Sequence, residues 1–311
     1  MSIRGKYEPI TAAQQGTGGN NNRGVIVVRH KKYDTIWIEK RVRPNAIAYG
    51  SAQREVRMMQ RAGDHPNIVL LFDRDLDDLR VGYGSLYLQR GELGPLDALI
   101  IRYRNKGQKL EDEGFAWKVL WDLTAAVVWL NTGCDIATML RYAASGRVIR
   151  KARGWNPIYH RDIKPSNVFM TWEAQGDVRW PTMLLGDFGC ALTDDDKPAA
   201  NAMPLGDGDF AAPEEPAWSQ YTDVYSSALV VACLGWMVHA PPRGVHALTN
   251  NWASAPMHGV LERMLKLYMW HRPAPGELPK YVYRAHQEWL AAPAQRGYPG
   301  ARLLRWALPS E

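Results

Sequence analysis

Apolar residues near the N-terminus fall into short runs of strand length. Such runs, several of them rich in β-branched residues, cover 25–30, 33–42, 69–72 and 85–88, and they predict four strands. A helical segment around residues 54–59 separates the second run from the third. The first part of the chain is therefore expected to consist of strands with one helix.

The rest of the chain carries longer apolar segments with helix spacing. Residues 115–130 place apolar side chains three or four positions apart, at Trp117, Leu120, Trp121, Leu123, Val127 and Leu130. The apolar run that ends at 238 has the length of a buried helix, and residues 281–290 are amphipathic. The second part is therefore expected to be mainly helical.

Two segments fall outside these patterns. Residues 1–17 are polar and without periodicity, and we expect a flexible tail there. Residues 132–156 contain an amphipathic stretch around Ile136, Met139 and Leu140, followed by a basic run at 147–153. Two interpretations of this segment are open. It is either a solvated surface insertion, since most charge runs are simply solvated, or a docking element for an acidic partner.

Composition narrows the class of protein. The 311 residues are 46% hydrophobic and 23% charged, which is ordinary for a globular protein and excludes wholesale disorder. No segment reaches ~18 unbroken apolar residues, so we expect no membrane span. Three widely spaced cysteines favour a reducing intracellular compartment, cytoplasmic or nuclear. The net charge of +6 is a mild bias toward acidic partners, and no nucleic-acid motif is evident.

Polar residues with a chemical role follow the first long helix. The string His160-Arg161-Asp162-Ile163-Lys164-Pro165-Ser166-Asn167 is followed by Asp187-Phe188-Gly189. The Asp162 carboxylate can accept the proton of an attacking hydroxyl, and Lys164 can offset charge on a transferring phosphoryl group. Asn167 and Asp187 offer oxygen ligands, which a hard cation such as Mg²⁺ prefers.

These motifs resemble the catalytic loop and D-F-G motif of eukaryotic protein kinases. Ile163-Lys164-Pro165 is similar to the Ser/Thr type, and the strings at 158–171 and 185–189 are weakly similar to the NIMA-related group. The resemblance implies an α+β, bilobal protein-kinase-like fold. Residues 18–88 would form a small antiparallel β-rich N-lobe with one αC helix. Residues 89–311 would form a larger, mainly helical C-lobe, with 132–156 inserted before the catalytic loop.

The resemblance also implies a binding site for ATP with Mg²⁺. Lys40 on a strand would pair with Glu55 on the helix and hold the α- and β-phosphates. Asn167 and Asp187 would be the metal ligands. The remaining nucleotide-binding positions would be the glycine-rich loop, the adenine pocket with its gatekeeper, and the hinge: Gly19, Asn21, Gly24, Ile26, Ile38, Leu88, Gln89, Gly91 and Phe169.

Further positions match supporting residues of the family. His160 would pack near the D-F-G motif, and Asp223 would hold the catalytic-loop backbone. The activation segment would end at Ala212-Pro213-Glu214, with Glu214 paired to Arg272. We also expect Arg161 to bind an anion, and the hypothesis is that Asp207 or Asp209 supplies it in place of a phosphate.

Three positions depart from the family pattern. Asn21 replaces the second glycine of the phosphate loop, Ile38 replaces the usual alanine above the adenine, and Gly206-Asp207 stands where Ser/Thr kinases carry Gly-Thr. That threonine normally helps to hold the catalytic base and lysine, so Asp207 bears on the geometry of substrate binding.

The sequence predicts a Ser/Thr protein kinase, in which Asp162, Lys164 and Asn167 carry the chemistry. It would transfer the γ-phosphoryl group of ATP to protein hydroxyls without needing activation-loop phosphorylation. Two alternatives remain. One is a nucleotide-binding pseudokinase scaffold, which the three departures support. The other is a small-molecule phosphotransferase, a class of enzyme that shares the H-x-D-x-x-x-x-N pattern.

Overall fold

The computed structural model describes residues 3–10, 22–110, 112–172, 180–196, 205–241, 252–292, 303 and 305–309. The chain divides into two compact units. The first comprises 1–65 and 69–90, and the second comprises 66–68 and 91–311. The division falls after Arg90, two residues beyond the predicted end of the N-lobe, and residues 66–68 belong to the second unit.

The first unit is built on an antiparallel sheet of five strands in the order β1-β2-β3-β5-β4. The strands are β1 (Tyr7–Pro9), β2 (Asn22–His30), β3 (Thr35–Val42), β4 (Leu71–Asp75) and β5 (Gly84–Gln89). Two helices, α1 (Pro44–Ala48) and α2 (Ser51–Ala62), connect β3 to β4. Glycines with positive φ, Gly50 and Gly63, flank α2 and set its ends.

The predicted flexible tail was wrong for residues 3–10. Tyr7 lies in the edge strand β1, where its ring stacks on Tyr87 with centroids 3.6 Å apart. Arg4 adds a hydrogen bond from Nε to Ser85 Oγ at 3.1 Å. One buried aromatic pair and a long polar side chain hold this strand, and neither produces periodicity in so short a segment. Residues 11–17 lie outside the described part of the chain.

The second unit is mainly helical, as predicted. Its helices are α3 (Leu96–Asn105), α4 (Glu113–Thr132), α5 (Ile136–Ala144), α6 (Thr222–Trp236), α7 (Ala255–Met264) and α8 (Leu278–Ala291). Two short two-stranded antiparallel sheets complete it: β6 (Ile158–Tyr159) pairs with β9 (Leu192–Thr193), and β7 (Val168–Thr171) pairs with β8 (Thr182–Leu185). The packed helices α4 and α6 are both largely buried, because their apolar residues face all round.

The segment 132–156 is integrated into the second unit. Helix α5 packs against α8, and Met139, Ala143 and Ile149 join a buried cluster with Val128 of α4. Trp155 donates from Nε1 to Leu130 O at 3.0 Å. The interpretation of the whole segment as a solvated excursion was therefore wrong, because its apolar residues form core. Its basic side chains remain exposed.

Among the described residues, no single helix is long and apolar enough for a membrane span. Only α4 and α5 taken together, joined at a 106° bend, pass that test by length and composition.

Candidate active site

An ion pair links β3 to α2 in the first unit. Lys40 Nζ lies 2.7 Å from Glu55 Oε1, and the two side chains are 11% and 6% exposed. Glu55 is on the buried face of α2, which also carries Val56 and Met59. A buried pair of this kind leaves an uncompensated charge when one partner is removed. The pairing that the sequence predicts is present.

Of the predicted phosphate-loop positions, only Gly24 lies among the described residues. Gly24 has a φ of 134° and sits at an irregularity in the β2–β3 register, a conformation that favours glycine. Gly19 and Asn21, the other predicted loop positions, lie outside the described residues.

The predicted role of Ile26 requires a correction. Ile26 is paired with Glu39 and packs in a buried cluster with Tyr7 and Tyr87. Direct cross-strand partners share a face of the sheet. Val25 is paired with Lys40 and Val27 with Ile38, so these two valines, and not Ile26, lie on the face of the sheet that carries Lys40. The irregularity at Asn22/Gly24 shifts the register, and a shift of one residue moves a side chain to the other face.

Those two valines were missed. The alternation of side chains between the two faces of β2, counted from the bulge at Asn22/Gly24, could have identified them.

The adenine-pocket and hinge candidates are distributed over both units. In the first, Leu88 is paired with Ile38 on the face of Lys40, and Gln89 N donates to Leu70 O at 2.8 Å. In the second, a Cβ at Gly91 would lie 2.7 Å from Phe169 Cβ and 3.1 Å from the Met170 carbonyl. Gly91 therefore cannot be replaced without moving this segment away from β7.

A buried carboxylate holds the catalytic loop. Asp223, in the first turn of α6, accepts hydrogen bonds from His160 N at 2.7 Å and from Arg161 N at 2.8 Å. Burial raises the pKa of the Asp223 carboxyl, while His160 and the two backbone donors oppose that shift. Arg161 has a φ of 65°, which is uncommon for a residue with a side chain. The loop conformation thus depends on Asp223.

His160 connects this loop to the D-F-G motif. Its Nε2 lies 3.0 Å from Gly186 O, and its ring meets Phe188 edge-on with centroids 4.9 Å apart. Phe188 is fully buried, and Asp187 before it adopts a left-handed conformation with a φ of 62°. This packing positions the Asp187 carboxylate, and the structural role expected of His160 fits these contacts.

The two oxygens of Asp162 are held from different sides. Asn167 Nδ2 donates to Asp162 Oδ2 at 2.9 Å and to its carbonyl at 2.7 Å. Lys164 Nζ lies 3.3 Å from Oδ1, and Asp207 N donates to the same oxygen at 2.8 Å. Burial alone would lower the pKa of Lys164, but the carboxylates of Asp162 and Asp207 outweigh it, so the pKa is raised and the ammonium form is favoured.

The donors available for a metal ion are an amide and a carboxylate. Asn167 commits its amide nitrogen to Asp162, which leaves Oδ1 as its remaining ligand atom. Asp187 adds carboxylate oxygens. In the described part of the chain, no group of three or more His, Cys, Asp or Glu residues is arranged to hold a metal ion. Two hard oxygen donors fit Mg²⁺, which usually takes its other ligands from phosphates and water.

The hypothesis on the anion for Arg161 is not supported. Asp207 Oδ2 lies 3.4 Å from Lys164 Nζ, and within the described residues neither Asp207 nor Asp209 pairs with Arg161. The Arg161 side chain is buried, donates to Cys190 O at 3.4 Å and lies 5.8 Å from the Trp218 ring centroid. Burial raises the pKa of Glu215, and the charge of Arg161 opposes that shift, which places this carboxylate within electrostatic reach.

Sequence reasoning missed Trp218 and Glu215. Both follow the A-P-E motif, where no spacing rule marks them.

The activation segment ends on the predicted ion pair. Arg272 is bidentate to Glu214, with Nη1–Oε1 and Nη2–Oε2 distances of 2.8 Å each. Thr222 Oγ1 donates to the same carboxylate at 3.1 Å, and the Arg272 guanidinium lies over the Tyr225 ring at 4.6 Å. The pair thus connects the end of the segment to the start of α6.

The mixed α+β fold, with a five-stranded antiparallel sheet and a mainly helical second unit, is consistent with a protein-kinase fold. No family model matches the chain. It is 26% identical over 230 residues to the G2-specific protein kinase nimA of Emericella nidulans, covering 67% of this chain and 31% of that protein. It is 26% identical over 297 residues to human serine/threonine-protein kinase Nek2, covering 88% and 58%. It is 28% identical over 248 residues to the G2-specific protein kinase nim-1 of Neurospora crassa, covering 74% and 26%.

These similarities confirm the resemblance to NIMA-related Ser/Thr protein kinases. The chain spans between about a quarter and three-fifths of the length of these relatives.

The Glu214–Arg272 pair generates a stability prediction. Arg272→Ala should lower the free energy of unfolding by about 3–5 kcal/mol, because it leaves the mostly buried Glu214 carboxylate unpaired. The matched control is Arg284→Ala, which removes an exposed ion pair with Glu288 and should cost about 1 kcal/mol or less. Urea unfolding of both variants measures the difference. Equal losses would show that burial of the Glu214–Arg272 pair does not matter.

Proposed function

We propose that the chain is a Ser/Thr protein kinase that transfers the γ-phosphoryl group of ATP to protein hydroxyls. The observation that carries the proposal is the Asp162 carboxylate, held by Asn167 on one oxygen and by Lys164 on the other. A fixed, partly buried carboxylate beside an ammonium group suits proton acceptance from a hydroxyl next to a phosphoryl group.

Each polar residue has a proposed part in the transfer. Asp162 orients the acceptor hydroxyl and takes its proton, while Lys164 offsets negative charge on the transferring group. Asn167 and Asp187 would hold Mg²⁺, which supplies charge neutralisation on the phosphate oxygens when bound. Lys40, oriented by Glu55, would bind the α- and β-phosphates.

The remaining nucleotide contacts are proposed from the same resemblance. Ile38, Leu88 and Phe169 would line the adenine pocket, with Val25 and Val27 in the place first assigned to Ile26. The backbone at Gln89 and Gly91 would bind the adenine edge. Gly24 would close the phosphate loop, in which Gly19 and Asn21 are retained as candidates.

We further propose that activity does not require phosphorylation of the activation segment. In many protein kinases an arginine before the catalytic aspartate binds an activating phosphate, as the resemblance implies for Arg161. Here Arg161 is 4% exposed and packs beside Trp218 and the carbonyl of Cys190. A side chain already packed in this way has less need of an added anion to fix it.

A transfer assay tests both proposals. Phosphatase-treated protein with Mg·ATP should phosphorylate Ser/Thr peptides on an array in preference to small hydroxyl metabolites. Asp162→Asn should lower the rate by about 10²–10⁴-fold, because the amide cannot accept the proton. Asp209→Asn, which makes the same carboxyl-to-amide change on the exposed side of the activation segment, should keep the wild-type rate.

The alternatives predict other results. Nucleotide binding without transfer by wild-type protein would favour the pseudokinase scaffold, and transfer to metabolites alone would favour a small-molecule phosphotransferase. Activity lost on phosphatase treatment and regained on autophosphorylation would contradict the phosphate-independent state.

We propose a docking role for the basic part of segment 132–156. Its exposed cations have no carboxylate partner among the described residues and lie on a backbone fixed by Ile149 and Trp155: Arg147, Arg150, Lys151 and Arg153. Because this backbone is already ordered, binding an acidic segment of a protein substrate would require little further ordering of the backbone of this chain. The three free cysteines are in keeping with the proposed cytoplasmic or nuclear location of such a partner.

Charge neutralisation tests the docking role without disturbing the core. Lys151→Gln/Arg153→Gln should raise KM for a peptide substrate with a hexaglutamate extension by about twofold to thirtyfold, since exposed ion pairs contribute about 0.2–1 kcal/mol each. KM for the unextended peptide should not change. The control Lys106→Gln/Lys109→Gln removes the same charge from another exposed site of the second unit. Equal effects of both pairs would reject a specific surface.

A further inference from the structure

Asp207 is fixed at the end of the activation segment. Its Oδ1 accepts from Asp209 N at 3.1 Å and so caps the short turn Gly208–Phe210. Phe210 in that turn is buried, and its carbonyl accepts from Ser226 Oγ of α6 at 2.9 Å. One carboxylate oxygen and the backbone of Asp207 are therefore determined by the packing of the turn on α6.

The other contacts of Asp207 are with the catalytic loop. Its Oδ2 lies 3.4 Å from Lys164 Nζ, and its backbone N–H donates to Asp162 Oδ1 at 2.8 Å. Lys164 Nζ is itself 3.3 Å from Asp162 Oδ1. The three residues thus form a closed triangle in which each contacts the other two.

Gly206 makes this close approach possible. A Cβ at Gly206 would lie 2.1 Å from Arg161 O and 3.0 Å from Asp162 Oδ1. The first distance is far shorter than any tolerated contact with a rigid backbone atom. The two segments therefore touch through their backbones, and this contact delivers the next residue, Asp207, to Lys164.

We propose that Asp207 is a positioning residue for phosphoryl transfer, holding the Lys164 ammonium against Asp162 with a carboxylate. This inference rests on the proposed kinase function. The family pattern has threonine at this position, as the resemblance implies, whereas this chain carries a carboxylate. The contacts of Asp207 reach both Lys164 and Asp162.

A positioning role has a kinetic signature that a folding role lacks. Asp207 contacts Lys164 and Asp162, which act on the transferring group and the acceptor. Loss of Asp207 should therefore lower kcat. It should not weaken ATP binding, because it also removes a negative charge from the neighbourhood of Lys164.

The experiment compares three substitutions at position 207. Asp207→Ala should lower kcat by about tenfold, equivalent to about 1.4 kcal/mol, with KM for ATP within about twofold of wild type. Asp207→Asn, which keeps an acceptor oxygen but removes the charge, should recover part of the loss, and Asp207→Thr, with one neutral oxygen on a shorter side chain, should recover no more than Asn. Asp209→Ala is the matched control and should keep the wild-type kcat. Thermal unfolding of each variant identifies any loss of fold.

Several results would overturn the inference while the kinase function stood. These are an unchanged kcat in Asp207→Ala, an equal loss in Asp209→Ala, a wild-type kcat in Asp207→Asn or Asp207→Thr, or an ATP KM that rises as much as kcat falls. Should Asp207→Ala fail to fold, the Asn and Thr variants test the inference by the same comparison of kcat with the KM for ATP. A wild-type chain without transfer activity would overturn the proposed function and this inference with it.

Discussion

The second unit depends on one buried carboxylate. Asp223 accepts the backbone N–H groups of two successive residues, His160 and Arg161, and it is almost fully buried. Without it, two backbone donors would be left without partners in the interior, at a cost of roughly 1–3 kcal/mol each. The left-handed conformation of Arg161 would also lose its support. From this fixed point the loop places Asp162 next to Asn167 and Lys164.

Helix α6 organises more than the catalytic loop. Ser226 holds the carbonyl of Phe210, and Thr222 donates to Glu214, which is paired with Arg272. The same buried helix therefore anchors both the loop that carries the proposed base and the segment that carries Asp207. The contacts between the two segments are short because both segments are hydrogen-bonded to α6. In the proposed reaction, the position of the acceptor hydroxyl therefore depends on α6 as well as on the residues that react.

The candidate catalytic positions could be proposed from the sequence because each lies in a short motif with fixed spacing. The pairing of Lys40 with Glu55 was predicted from the resemblance to the family, and the structure pairs them. Other features depend on packing that leaves no local pattern. The face of Ile26 is decided by a register shift, and the edge strand at Tyr7 by one stacked ring. The surroundings of Arg161 depend on Trp218, which is remote in sequence.

Hydrogen exchange at the amides of His160 and Arg161 tests the central claim most directly. If Asp223 holds both groups, their exchange in the wild-type protein should be as slow as that of buried helix amides, although they lie in a loop. Asp223→Ala should speed exchange at these two amides by at least about tenfold more than at the amides of α4. Rapid exchange in the wild type, or equal acceleration throughout the second unit, would contradict the account.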